Sequence, residues 1–147
     1  MSSLKFGQAK FKSNFSFAKM LRRAESKKFQ NKTSESVINP MVKDSKQFIK
    51  SNKVQPPTGT ETLKKRHARK RPKSIGGNTT LYDTGTLYKS LKRSKSVPYG
   101  VDMVDYGEKH LSLPKGNPRN FLTLSEDNEK KAVVKIVDSL VKASMTK

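Results

Sequence analysis

Residues 78–93, "NTTLYDTGTLYKSLKR", combine a turn signature with a row of leucines that predicts where the chain enters its core. The leucines are spaced so that they face one side, while the basic side chains near them face solvent. Aspartate and glycine in the triplet Asp-Thr-Gly favour a tight turn or a helix cap. The turn residues are Asp83, Thr84 and Gly85, and the core anchors are Leu81, Leu87 and Leu91.

The same triplet is the active-site motif of aspartic proteases, so a catalytic role for Asp83 is an alternative interpretation. A chain this short would work only as a homodimer in which two aspartates share a proton. Such a site needs buried apolar strands around the triplet, whereas the residues before it are mostly polar and those after it are basic. We therefore favour the structural turn and predict no catalytic residue.

The composition is basic and poor in core-forming residues. The 147 residues include 32 Lys and Arg against 12 Asp and Glu, which gives a formal charge of +20, and only 32% are hydrophobic. We expect part of such a chain to stay outside any core. The excess charge also favours an acidic partner or a polyanion.

Several classes of site are excluded or disfavoured by the residue content. The chain has no cysteine, which excludes disulfides and thiolate metal sites, and its two histidines are too few for a histidine-rich site. No apolar run approaches the roughly 20 residues of a membrane helix, and the N-terminus lacks the apolar stretch of a secretory signal. We predict no metal, no cofactor and no membrane association.

Helical and strand patterns appear on both sides of the leucine row. Apolar residues recur at helical spacing in residues 15–30 and, more weakly, in residues 33–50, where Pro40 should start or kink the helix. Residues 95–113 alternate in places and predict one or two short strands.

The clearest element is a helix at residues 125–145, with Ser125 as its cap and acidic residues in its first turn. Its apolar residues form one stripe suited to lying on a sheet. The stripe consists of Val133, Ile136, Val137, Leu140 and Val141. We predict an α+β fold in which a small antiparallel sheet at about 81–113 is covered by this helix and by an N-terminal helix.

Residues 52–80 are predicted to be a basic extended loop or arm. They contain three prolines and three glycines, and seven of the ten positions from 64 to 73 are Lys or Arg. We divide the chain into an N-terminal arm and helical segment (1–51), this basic segment, and a sheet with the C-terminal helix (81–147) that forms one domain with the N-terminal helix. The candidate contacts to DNA or to a protein partner are Lys64, Lys65, Arg66, Arg69, Lys70 and Arg71.

Three sequence blocks occur in a fixed order before the C-terminal helix. The first is "TLKKR" at residues 62–66, the second contains Leu81, Thr84, Gly85, Leu87 and Ser90, and the third is "PRNFLTLS" at residues 118–125. In this order they resemble the Mu-like virion morphogenesis, or tail completion, family of tailed bacteriophages, and more loosely neck and head–tail joining proteins. The resemblance covers about residues 35–145. The family usually has proline where this chain has Asn120.

The resemblance implies a non-enzymatic virion protein of the neck or tail, assembled in the host bacterial cytoplasm. It implies a subunit of a six- or twelve-fold ring that completes the head–tail connection or caps the tail. Its neighbours would be head–tail connector, tail tube or tail terminator proteins, and its channel would admit packaged DNA. Asp83 would then be a turn residue. A basic nucleic-acid-binding accessory protein is the alternative function, and a monomeric mass would favour it over a ring.

Overall fold

The computed structural model describes residues 16–112 and 118–145, and in these ranges the protein is mostly helical with one small antiparallel sheet. The beginning of the predicted N-terminal arm, residues 1–15, lies outside the described residues. The helices are α1 (Phe17–Glu25), α2 (Lys27–Lys50), α3 (Thr60–Ala68), α4 (Thr86–Ser90), α5 (Asp105–Leu111) and α6 (Glu126–Ser144). The strands are β1 (Lys92–Arg93) and β2 (Val101–Asp102), paired with Lys92 opposite Asp102 and Arg93 opposite Val101.

Ser26 separates the first two helices. Its backbone N–H donates to the Arg23 carbonyl at 3.2 Å, and its hydroxyl oxygen accepts the Phe29 N–H at 3.2 Å. One residue therefore ends α1 and caps α2. We predicted that a helix starts or kinks at Pro40. The predicted start is wrong, because α2 runs from Lys27 to Lys50 with Pro40 inside it.

The sheet is much smaller than the one predicted for residues 81–113. It consists of two strands of two residues each, while α4 and α5 occupy much of the remaining range. Gly85, at φ +76°, supplies the left-handed residue from which α4 starts. Gly107 of α5 lies so close to α4 that an added Cβ would be 2.7 Å from the Leu87 side chain. The two short helices therefore pack closely against each other at Gly107.

The C-terminal helix packs mainly against α1 and α2, not on the sheet as predicted. The Ser16 N–H donates to the Ser144 carbonyl at 2.6 Å, so α1 begins where α6 ends. The buried residues of α6 are the small Ala132 and Ser144, which allow close approach to the neighbouring helices. Three valines of the predicted core stripe are exposed. These are Val133, Val137 and Val141, with exposed fractions of 53%, 50% and 40%.

The start of α6 is fixed by a side chain of α2. Ser125 occupies the cap position as predicted, but its side chain makes no capping hydrogen bond. The Asp44 carboxylate instead accepts the Ser125 N–H at 2.8 Å and both of its oxygens accept from the Asn128 amide, at 3.1 and 2.9 Å. The neighbouring Ser45 hydroxyl accepts the Thr123 N–H at 2.9 Å. α2 and α6 are therefore joined by polar contacts.

The core lies where α2, α4 and the segment before α6 meet. Its five buried apolar residues include two of the three predicted leucine anchors, whereas Leu81 is only half-buried. Val54, which belongs to the predicted basic loop or arm, is fully buried among them. The ends of that segment also meet, because the Thr80 N–H donates to the Asn52 side chain at 2.9 Å. The core consists of Ile49, Val54, Leu87, Leu91 and Phe121.

Candidate functional site

Asp83 is held by two arginines, one within α3 and one directly after it. The Arg69 Nη2 donates to the two Asp83 carboxylate oxygens at 2.8 and 2.7 Å. The Arg66 Nε lies 3.5 Å from Asp83 Oδ1, an ion-pair distance that lacks hydrogen-bond geometry. Arg66 is only 7% exposed, and its Nη1 donates to the Gly77 and Thr79 carbonyls at 3.0 and 2.9 Å. We call Arg66, Arg69 and Asp83 the arginine–aspartate latch.

The latch keeps Asp83 ionised. Burial opposes ionisation of this carboxyl, but hydrogen bonding to Ser74 and Arg69 and the positive charges of Arg66 and Arg69 together hold its pKa below the ordinary aspartate value. A protease dyad requires two carboxyls that share a proton, which raises one pKa. The surroundings of Asp83 therefore favour an ion-pair role over proton transfer.

The backbone around the triplet is also tightly connected. The Asp83 carbonyl accepts the N–H groups of Ile75 and Gly76 at 2.8 and 3.2 Å. A Cβ added at Gly76 would be 1.4 Å from the Tyr82 carbonyl oxygen, so only glycine fits there. Together with the latch, these bonds tie the end of the basic segment to the bend that contains Asp83, Thr84 and Gly85.

The three sequence blocks meet at one polar cavity of about 550 Å³. The first block contributes Thr62 and Arg66, and the third contributes Arg119. The second block lines the cavity with Leu81, Asp83, Thr84 and Gly85, and Thr86 follows them. Segments that are far apart in sequence therefore form one structural unit around the latch.

Arg119 belongs to the third sequence block and His110 to none of them, and neither was predicted to be a site residue. Arg119 donates through Nε to the Pro56 carbonyl at 3.0 Å and through Nη1 to His110 Nδ1 at 3.3 Å. Burial, with the Arg119 charge as a second cause, lowers the pKa of His110, so its ring is a neutral acceptor. The sequence offered no local signal for the contact of Arg119 with Pro56, because the two residues are 63 positions apart.

The six predicted contact residues divide into two groups. Arg66 and Arg69 make the intramolecular contacts of the latch, and Arg66 is buried. The other four are exposed and can meet a partner. The exposed group consists of Lys64, Lys65, Lys70 and Arg71.

Comparisons with protein-family models, with curated proteins and with solved structures found no match to this chain. Within residues 16–112 and 118–145, no group of three or more histidine and acidic side chains could hold a metal ion. In the same part of the chain, no helix combines the length and apolar character needed to cross a membrane.

A variant with four glutamine substitutions should keep its fold and bind a polyanion more weakly. The replaced residues are Lys64, Lys65, Lys70 and Arg71. We expect the free energy of unfolding, measured by urea denaturation, to change by less than about 0.5 kcal/mol per site because these side chains are exposed. If duplex DNA is the partner, the slope of log affinity against log salt should become smaller by up to about 3.5 units.

The matched control replaces four other exposed lysines, Lys43, Lys50, Lys92 and Lys109, and removes the same charge. DNA binding that falls equally in both variants would show that the four exposed cations of the basic segment have no special role.

Proposed function

We propose that this protein is a structural virion component of a phage neck, a ring subunit that completes the head–tail connection or caps the tail. The observation that carries the proposal is an apolar ridge on α6 that the described part of the chain leaves exposed. Its members are Val133, Val134, Val137 and Val141. The helix α1, which packs against α6, also exposes two apolar residues, Phe17 and Leu21.

The ridge is unusual in a chain with so little apolar material. Only 32% of the residues are hydrophobic, yet the ridge places valines on successive turns of one helix in water. Contiguous exposed apolar residues mark interaction sites. A ring subunit needs such an interaction site, because each copy must bind a different surface of the next copy through a heterologous contact.

The order of the three sequence blocks supports the same proposal. They line one cavity, and the third block delivers Phe121 to the core beside Leu87 of the second. The resemblance to tail completion proteins thus rests on segments that form one folded unit in this protein. The Asp83 turn belongs to that unit, and the lowered pKa of its carboxyl supports a structural role.

The proposal predicts that the ridge drives assembly. Replacing Val133, Val137 and Val141 with glutamine should raise the concentration needed for assembly by about 100-fold, since each buried valine contributes on the order of 1 kcal/mol. Helical content should stay the same, because glutamine is a better helix former than valine. Analytical ultracentrifugation measures the native mass, and electron micrographs show whether a ring with a central channel forms.

A control away from the ridge is the double variant Ile75→Gln with Val97→Gln, which removes two apolar side chains of similar exposure, 58% and 57%. This control should assemble like the wild type. A wild-type protein that stays monomeric up to about 100 μM and binds DNA with steep salt dependence would replace the ring proposal with the nucleic-acid-binding alternative.

A further inference from the structure

A cleft of about 650 Å³ lies between α1, α2 and α6, and none of its lining residues belongs to the three sequence blocks. α1 contributes Arg23, α2 contributes Lys32, and α6 contributes Lys135 and Lys142. These four residues are separated by up to 119 positions, so only the packing of α6 against the first two helices brings them together. The cleft volume is in the range of small-ligand sites.

The cleft is strongly electropositive. Its lining includes four cations and one acid, Asp138, which gives a local charge of +3. Ser139 adds a hydroxyl group to the same lining. Lysine, arginine and hydroxyl groups together are the side chains that commonly bind phosphate oxygens.

Like charges brought together in one concave site repel one another and destabilise the fold. A bound anion removes that repulsion, and the concave wall concentrates the field on the ligand. Arg23 is also held in place, because its guanidinium lies 5.9 Å from the centre of the Phe29 ring. One cation of the cleft is therefore positioned before any ligand arrives.

We propose that this cleft binds a phosphate group, carried either by a nucleic-acid backbone or by free phosphate. The site is separate from the exposed cations of the basic segment and does not depend on the proposed ring. A chain that fails to form a ring would retain the cleft, because all of its residues come from one copy.

The test compares the wild type with a triple variant, Lys32→Gln, Lys135→Gln and Lys142→Gln. Fluorescence anisotropy follows binding of a 12-base-pair DNA duplex between 50 and 200 mM salt, and thermal unfolding follows stabilisation by inorganic phosphate. We expect the triple variant to lose at least tenfold in affinity, with a salt slope smaller by roughly 2 to 3 units for the duplex. The control variant replaces the exposed Lys43, Lys50 and Lys109 and should lose much less.

The variant Asp138→Asn should change the binding affinity in the opposite direction. It removes the one acid of the cleft lining and should raise the affinity about two- to fivefold at low salt, since it raises the local charge by one unit. A loss confined to duplex binding identifies a nucleic-acid backbone as the ligand. A loss confined to stabilisation by inorganic phosphate identifies a free phosphate.

Either of those results supports the site. Equal behaviour of the triple variant and its control with both probes would overturn the proposal. A wild type that binds neither probe would also overturn it, as would an affinity that does not rise with Asp138→Asn. Circular dichroism of every variant checks that the helices are retained.

Discussion

Phe121→Ala is expected to lower the free energy of unfolding by about 3–5 kcal/mol, the range for removing a buried phenylalanine. Phe121 is fully buried among Ile49, Val54, Leu87 and Leu91, which come from three different segments of the chain. The cavity would therefore open at the point where those segments meet. Domains of this size have a total stability of about 5–15 kcal/mol, so a large share of the stability would be lost.

Urea denaturation followed by circular dichroism measures the effect. Phe121→Leu, which keeps more of the volume, should cost less than Phe121→Ala. Val97→Ala is the exposed control, because Val97 is 57% exposed and lies outside the ridge, and it should change the free energy of unfolding by no more than about 0.5 kcal/mol. Equal losses for Phe121→Ala and Val97→Ala would mean that the core does not lie where the structure puts it.

Asp83→Ala should have the second largest effect, a loss of about 2–4 kcal/mol. Removing one partner of a buried ion pair leaves the other charge uncompensated, and Arg66 is only 7% exposed. We expect a smaller loss in the free energy of unfolding than for a fully buried ion pair, because the Asp83 side chain is 29% exposed. Asp83→Asn keeps the shape of the side chain and some hydrogen bonding, so it should cost less.

A double-mutant cycle with Arg66→Met separates the ion pair from other contacts of each residue. The double variant should be more stable than the sum of the single losses predicts, by about 1–3 kcal/mol. Additive losses would show that Arg66 and Asp83 do not interact.

The same carboxyl makes a prediction about pH. Because the latch lowers the pKa of Asp83, its stabilisation is complete above the pKa of an unfolded aspartate, about 3.9, and is lost as the pH falls through the folded value. The difference in stability between wild type and Asp83→Ala should therefore be constant from pH 5 to 7 and shrink below about pH 4. A constant difference down to pH 2 would argue that Asp83 acts without its charge.

The sequence predicted the local features of the fold better than its packing. The anchors Leu87 and Leu91, the N-terminal and C-terminal helices and an antiparallel strand pair are all present. The extent of the sheet and the partner of α6 were predicted wrongly. Residues 95–113 contain one short strand, as predicted, at Val101–Asp102, but α5 occupies Asp105–Leu111 of the same range.

The error at α6 has a similar origin. Hydrophobic periodicity identifies an apolar stripe but cannot tell a core face from an interaction face. Val133 and Val137 were predicted to be core residues, whereas the buried residues of the helix are the smaller Ala132 and Ser144. A stripe that serves assembly has the same pattern as one that serves folding.

The sequence predicted the turn and the basic run of the candidate site but not the contacts that Arg66 makes. Gly85 was predicted to lie in a tight turn or a helix cap, and it is the left-handed residue that precedes α4. Six residues of the basic run were predicted together as contacts to a partner. Charge alone could not show that Arg66 would turn inward, because its partner Asp83 is 17 positions away and its acceptors are backbone carbonyls. The cleft between α1, α2 and α6 left no local pattern in the sequence.

The Asp44 contact to Ser125 has a consequence for how the protein reaches its fold. The residues it joins are 81 positions apart, and Ser45 and Thr123 are 78 apart. Contacts of such long sequence separation slow folding, because a large loop must close before they form. During synthesis α2 leaves the ribosome long before Phe121 and α6, so its apolar face stays exposed until the last quarter of the chain has been made. If translation stopped early, the released chain would lack Phe121 and α6. Its core residues would then be exposed to proteases and chaperones.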